Sequence, residues 1–175
     1  MSNENQNAEL NQLVCREQGE LIQKNSDQRP AILLKEDTCK QLIREAINSL
    51  KYSYTPYSGF KVGAALLTND LKIYNGCNIE NASFTPTNCA ERTAFFKAVS
   101  EGKKDFQAIA IVGGRDGVLA DYCPPCGVCR QVMMEFCSPS DFFVILARSE
   151  DDYWIYTLED LLPMGFVPVN IKHNK

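Results

Sequence analysis

Cys89-Ala90-Glu91 and, farther along, Pro125-Cys126-Gly127-Val128-Cys129 are the residues whose types and spacing could do chemistry. Cys126 and Cys129 are three apart, which on a helix brings their Cβ atoms to ~5–6 Å. Two thiolates at that separation can share one Zn²⁺ at about 2.3 Å. A helix N-terminus favours the thiolate, because its free N–H groups and dipole stabilise an anion. Cys89 opens an earlier predicted helix, so the same arrangement is built twice. Three sulfur ligands leave a fourth tetrahedral position open, the mark of a catalytic rather than a structural zinc. Glu91 can lie beside the metal without ligating it, taking a proton from the acidified water and returning it to a substrate. A lone C-x-x-C also serves as half of a structural zinc site or as a redox pair. Cys123-Pro124-Pro125-Cys126 repeats that spacing and makes Cys123 a rival ligand or thiol partner. Two prolines outside the helix make it less apt to share a metal with Cys129, and Cys123 is read as a bystander.

The elements that must position these groups are legible from periodicity. Leu42, Ile43, Ala46, Ile47 and Leu50 recur at helical spacing up to about Lys51, with Thr38 and Gln41 as a capping box. Residues 60–67 and 71–77 read as a β-hairpin joined by Thr68-Asn69-Asp70. A helix is predicted from Cys89 to Ser100, stopped by Gly102. A buried strand follows over 106–112, closed by Gly113-Gly114. The third helix runs from Cys126 to about Phe136, and strands are predicted over 142–147 and 153–156. Thr157 caps a last short helix, Leu158 to Leu162. Single helices between strands imply parallel pairing, with helices on both faces of a sheet. Residues 1–35 form a polar N-terminal extension, with a weak helical pattern at Leu10, Leu13, Val14, Glu17 and Leu21. Residues 36–175 form the functional domain.

The bulk numbers narrow the field. The chain has 175 residues, 45% hydrophobic and 23% charged, with a net charge of -4, which suits one globular domain with its own core. A protein that grips phosphate backbones is more often basic, so nucleic acid is a poor partner and a small molecule a better one. No apolar stretch resembles a secretory signal or approaches the ~20 residues of a membrane span. A soluble, cytoplasmic protein without membrane contact is expected. In a reducing compartment its eight cysteines read as metal ligands or free thiols rather than a disulfide framework.

Four ordered words carry a resemblance over residues 37–170. They are Tyr57-Ser58-x-Phe60-x-Val62-Gly63-Ala64-Ala65, Gly76-Cys77-Asn78-Ile79-Glu80-Asn81, Cys89-Ala90-Glu91-Arg92-Thr93-Ala94 and Pro125-Cys126-Gly127-x-Cys129-Arg130-Gln131-Val132. Leu161-Leu162-Pro163 and Phe166 fit as well. Together they resemble the zinc-dependent cytidine deaminases of the small homotetrameric type, whose three-cysteine metal site and non-ligand glutamate are a known signature. The resemblance implies a three-layer α/β/α sandwich around a five-stranded mixed sheet, with one Zn²⁺ per subunit on Cys89, Cys126 and Cys129. It implies that Glu91 shuttles the proton, that Asn78 and Glu80 bind the ribose hydroxyls, and that the Ala90 and Cys126 backbones touch the base or the attacking oxygen. Phe60 is expected beside the pyrimidine, with Phe84 and Phe166 closing a site from adjacent chains. The implied reaction converts cytidine or deoxycytidine and water into the uridine product and ammonia, a step of pyrimidine salvage.

Physical chemistry supports several of these roles. Asn78 and Glu80, at i and i+2 of a strand end, project to one side. An amide and a carboxylate together suit a sugar diol, although such a pair is also an ordinary polar strand end. Arg92, hydrogen-bonded to a cysteine sulfur, would withdraw charge from a metal centre carrying three thiolates and so restore the acidity of its water. The chain departs from the family pattern at Lys61, where proline is common, and at Phe84, where tyrosine is common. His173, the single histidine, lies in a charged tail and is not expected to ligate. A polynucleotide cytosine deaminase and a non-catalytic zinc-stabilised module stay open as rival readings, as does a nucleoside antibiotic as substrate.

Overall fold

The computed structural model describes residues 14–17, 20–23 and 34–170, and the chain divides into two units, Met1–Cys39 and Lys40–Lys175. In the first, β1 (Val14–Glu17), β2 (Glu20–Gln23) and β3 (Leu34–Lys35) pair antiparallel in sequence order. The helical pattern expected across residues 10–21 therefore fails at its described positions Val14, Glu17 and Leu21. Its apolar spacing is sparse, and cross-strand pairing overrides weak helix propensity. Leu10, Leu13 and His173 lie outside the described residues.

The second unit is built on β4 (Phe60–Thr68), β5 (Ile73–Cys77), β6 (Phe106–Arg115), β7 (Phe143–Ser149) and β8 (Asp152–Thr157). Their order is β5-β4-β6-β7-β8. Among the described strands of this sheet β6 and β7 pair parallel, whereas β4 runs antiparallel to both β5 and β6, and β8 antiparallel to β7. The expectation of parallel pairing thus holds for one neighbouring pair. The hairpin folds β4 in between β5 and β6, so the two crossovers still join strands of one direction without making both pairs adjacent.

Among the described residues the α-helices flanking the strands are α1 (Glu36–Ser49), α2 (Ala90–Ser100), α3 (Gly127–Phe136) and α4 (Leu158–Leu161). Ala64, Leu66, Ile109, Ile111, Val144 and Leu146 turn to one face, where Phe95 of α2 and Met133 of α3 complete a buried cluster. The alternate positions, including Ala65, Ala110 and Ile145, are equally buried on the other face. Two glycines show how tightly the layers close. A Cβ on Gly63 would stand 2.0 Å from the Ala46 carbonyl oxygen of α1, and one on Gly76 2.2 Å from that of Ala90 of α2. Gly76 pairs with Ala64, so Gly63 and Gly76 serve opposite faces. The architecture is a three-layer α/β/α sandwich around a five-stranded mixed sheet.

Two local expectations change and a third holds. Helix α1 begins at Glu36, directly after β3, so Thr38 lies inside the first turn and caps nothing. Its acidic start, Glu36 and Asp37, complements the helix dipole instead. Strand β6 continues through Gly113-Gly114 to Arg115, paired all the way with β4. Those glycines mark close approach rather than strand termination: a Cβ on Gly114 would meet the Val118 carbonyl oxygen at 1.8 Å. The cap at Thr157 forms as expected. Its hydroxyl accepts from the Asp160 N–H at 3.2 Å, and the Asp160 carboxylate accepts from the Thr157 N–H at 2.8 Å.

Candidate active site

Strands β5 and β6 point the same way, and the chain leaves the carboxyl end of each through a loop into α2 and α3. Both helices therefore start at one edge of the sheet, where open α/β folds form their crevices. Cys89 and Cys126 are the N-cap residues of these helices, each in extended backbone conformation. Cys129, one turn into α3, is buried. The Cys89 and Cys126 sulfurs are 3.8 Å apart and those of Cys126 and Cys129 3.6 Å, and all three lie within 4.8 Å of one another. Sulfurs bound tetrahedrally at about 2.3 Å from one zinc are about 3.8 Å apart. Spacing and donor chemistry both fit that ion.

The charge distribution is already uneven without a metal. A hydrogen bond from the Cys129 thiol, helped by Arg92 and Cys126, pulls Cys89 down to about 5 against the effect of burial. Cys129, as the donor in that bond, is pushed well up. Arg92 Nη2 sits 3.6 Å from the Cys89 sulfur and donates to the Thr87 carbonyl at 3.0 Å. Its Nε–H is buried with no hydrogen-bond partner among the described residues, so the guanidinium is held beside the cluster with donor capacity to spare. Cys123 is not among the three clustered sulfurs. Burial lifts its thiol to about 11, which keeps it protonated and a poor ligand.

Glu91 is 4% exposed. Burial raises its carboxyl to about 7; the negative Cys89 adds to the rise, while its own backbone N–H and the Cys129 thiol oppose it. A carboxyl poised near neutrality can both take and give a proton. Ala90, fully buried between Cys89 and Glu91, fixes the first turn of α2 against the sheet.

A second group gathers at the start of β4. The Asn78 side chain accepts from the Val62 N–H at 2.9 Å and donates to the Phe60 carbonyl at 2.8 Å. One amide hydrogen and one lone pair remain for a ligand. Glu80 accepts from the N–H groups of Tyr57 and Ser58, at 3.0 and 3.3 Å, and from the Ser58 hydroxyl at 2.5 Å. These bonds hold its carboxyl below the usual carboxylate range, the Ser58 hydroxyl first among them. The Phe60 ring lies beside Gly113, where an added Cβ would touch Phe60 Cε1 at 3.2 Å and Cys123 Sγ at 2.8 Å. Cys123 thus packs next to Phe60 while feeling the charges of Glu91 and Cys89.

Polar contacts that sequence reasoning missed tie the two groups together. Thr93 donates to the Cys77 carbonyl at 3.0 Å and accepts from Asn88 Nδ2 at 3.0 Å. Ile79 and Asn88 exchange two backbone hydrogen bonds of 2.9 Å. The strand end bearing Asn78 and Glu80 is thereby fixed to the segment that delivers Cys89. The loop delivering Cys126 is tied down at Tyr122, whose hydroxyl bonds Asp152 and whose ring carries Arg148 at 4.8 Å. Phe84 and Phe166 are not brought to the cluster. Their side chains stand out from the surface, 86% and 58% exposed, although the Phe166 backbone is tied to Gln131 of α3 by bonds of 2.7 and 3.3 Å.

Comparison with known proteins places this geometry. Residues 36–145 match the family model described as the cytidine and deoxycytidylate deaminase zinc-binding region. The chain is 49% identical over 127 residues to a cytidine deaminase of Sporosarcina psychrophila, across 73% of this chain and 90% of that protein. It is 41% identical over 131 residues to a probable cytidine deaminase of Dictyostelium discoideum, across 74% and 84%. Among solved structures it resembles cytidine deaminase from Burkholderia pseudomallei, with a TM-score of 0.66 and 46% identity over 72% of this chain and 97% of that one. For cytidine deaminase from Mycobacterium tuberculosis the values are 0.61, 36%, 72% and 94%.

Proposed function

From the premise that this chain belongs to the cytidine and deoxycytidylate deaminase family, we propose that it hydrolyses the exocyclic amine of cytidine and deoxycytidine. The products are uridine or deoxyuridine and ammonia, and the reaction serves pyrimidine salvage in the cytoplasm. The observation that carries this reading is the trio of sulfurs at tetrahedral spacing beside a buried carboxyl poised at about 7.

Cys89, Cys126 and Cys129 would hold the zinc. A bound Zn²⁺ supplies a water of lowered pKa at the open fourth position. Glu91 does the proton work. It takes a proton from the attacking water and gives it to N3 of the ring as oxygen adds at C4; it then takes the second proton, from the new C4 hydroxyl, and delivers it to the amino nitrogen, so that the C4–N bond breaks, ammonia leaves and the C4 carbonyl forms. Asn78 and Glu80 hold the sugar hydroxyls with the capacity their own bonds leave free, and Phe60 backs the base. Arg92 drains charge from the sulfurs, offsetting the net negative charge of a three-thiolate site.

The active form is a homotetramer in which neighbouring chains bring Phe84 and Phe166 over the site. The exposure of both rings in the single chain supports this, as does the apolar groove between Phe96, Val128, Val132 and Phe136. The test is the loss of ultraviolet absorbance on cytidine, with and without a zinc chelator, for wild type and Glu91→Gln. Chelation should abolish turnover. Glu91→Gln should lower kcat by about 10²–10⁴-fold with zinc content unchanged. Near-wild-type turnover by Glu91→Gln sinks the mechanism.

A further inference from the structure

Ser58 belongs to the Tyr57-Ser58-x-Phe60 word, yet nothing in the proposed chemistry uses it. Its hydroxyl donates to Glu80 Oε1 at 2.5 Å and accepts from the Phe60 N–H at 2.9 Å. A hydroxyl has one hydrogen and can make this chain in one direction only: Phe60 N–H to Ser58 Oγ, Ser58 O–H to the Glu80 carboxylate. Each link is polarised by the next, since the terminal acceptor carries the charge. The surrounding bonds leave the turn little freedom. The Ser58 carbonyl accepts from Arg115 at 3.1 Å, the Gly59 carbonyl from the Asp116 N–H at 2.8 Å, and Asn78 holds the Phe60 carbonyl.

Lone-pair capacity sharpens the point. A carboxylate offers about four acceptor sites. The Tyr57 and Ser58 N–H groups occupy Oε2, and the Ser58 hydroxyl takes one site on Oε1. The position left for a ligand is therefore on the same oxygen that Ser58 orients. A ligand hydroxyl reaching Glu80 binds an atom whose direction is set by Ser58, and Ser58 is set by the main-chain N–H of Phe60.

We propose that Ser58 is a positioning residue that couples the sugar-holding carboxylate of Glu80 to the base-backing Phe60, so that sugar and base are gripped by one hydrogen-bonded unit. The proposal rests on the nucleoside reading above, and it assigns a binding role, not a step in proton transfer. Ser58 is exposed, which gives the extra methyl of threonine room, so Ser58→Thr keeps the hydroxyl and Ser58→Ala removes it.

The experiment compares zinc-loaded wild type, Ser58→Ala, Ser58→Thr, Glu80→Gln and the double variant Ser58→Ala/Glu80→Gln. Each is measured for kcat and KM on cytidine, for uridine Kd by calorimetry, and for zinc per chain. Loss of one partly exposed hydrogen bond to a carboxylate should raise KM and uridine Kd about fivefold and leave kcat within about twofold. Zinc content should not change, and Ser58→Thr should restore wild-type values. In the Glu80→Gln background the alanine change should add nothing further, because its effect passes through that carboxylate. Unchanged Kd in Ser58→Ala, failure of threonine to rescue, or full additivity with Glu80→Gln overturns the proposal. A wild type that binds uridine but does not turn over cytidine would refute the deaminase reading alone, since the Kd series still decides the role of Ser58. A wild type that binds no nucleoside refutes both.

Discussion

Within the cluster Cys89 is pulled down to about 5 while Cys129 is pushed well up, and Cys123 lies outside it. Cys89 is an anion at neutral pH because its pKa of about 5 lies below it, whereas Cys123, at about 11, stays protonated. Thiolates react with alkylating agents and thiols do not. In zinc-free protein at pH 7, iodoacetamide should therefore label Cys89 well ahead of Cys123, and peptide mass spectrometry reads the order directly. Zinc should protect Cys89. Raising the pH toward about 11 should bring Cys123 up, since its anion appears only there. Arg92 is the other residue-scale test. Groups that hydrogen-bond metal ligands typically change affinity or activity by about 10–100-fold when removed. Arg92→Ala should weaken zinc by an amount in that range in a chelator competition, and Arg92→Lys should recover only part of it, because a point charge cannot replace the guanidinium fork. Unaltered zinc affinity in Arg92→Ala would leave Arg92 with the Thr87 carbonyl as its only role.

At the scale of elements, the metal cluster depends on how closely α2 lies on β5. Gly76 permits that approach: an added methyl would stand 2.2 Å from the Ala90 carbonyl oxygen and 2.6 Å from the Ala94 nitrogen, both backbone atoms that cannot swing aside. Gly76→Ala should destabilise the protein by about 3 kcal/mol or more, read as a lower urea midpoint, with weaker zinc binding because Cys89 rides on the displaced helix. Gly127→Ala is the control. Among the described residues nothing lies within 4 Å of its added methyl, and at the first position of α3 it should be neutral or stabilising by up to about 1 kcal/mol. The same elements show what could be read in advance. Long apolar runs at 106–112 and 142–147 and the amphipathic α1 were legible because burial imposes a period on sequence. The cysteines and Glu91 were legible because helix-start spacing constrains them locally. The place of β4 between β5 and β6 was not, since strand order is set by packing between distant segments. Nor were Ser58, Thr93 and Asn88, whose partners lie across loops. The glycines at 113 and 114 misled for a related reason: in isolation they read as a strand end, and only the neighbouring Phe60, Cys123 and Val118 show that they were selected for closeness.

For the whole molecule, the zinc site and the substrate enclosure are different kinds of object. The three sulfurs and Glu91 come from one chain, so metal binding needs no partner. On the function proposed above, enclosure of a nucleoside rests on Phe84 and Phe166, which a single chain leaves exposed. Assembly, and with it turnover, should thus be lost without loss of metal. Phe96, 48% exposed on α2, lines an apolar groove with Val128, Val132 and Phe136 of α3, the sort of apolar surface that marks a protein interface. Replacing it with glutamate puts a charge where two chains would meet, and an unpaired buried charge is costly enough to break contacts. In light scattering, Phe96→Glu should shift from the proposed tetramer to smaller species. Zinc per chain should stay at the wild-type value, while kcat/KM on cytidine falls by at least about 100-fold, because the rings that close each site have left with the neighbours. A smaller species with full activity would mean that one chain encloses its substrate alone, and the roles given to Phe84 and Phe166 would have to be withdrawn. An unshifted mass would place the interface on another face of the sandwich.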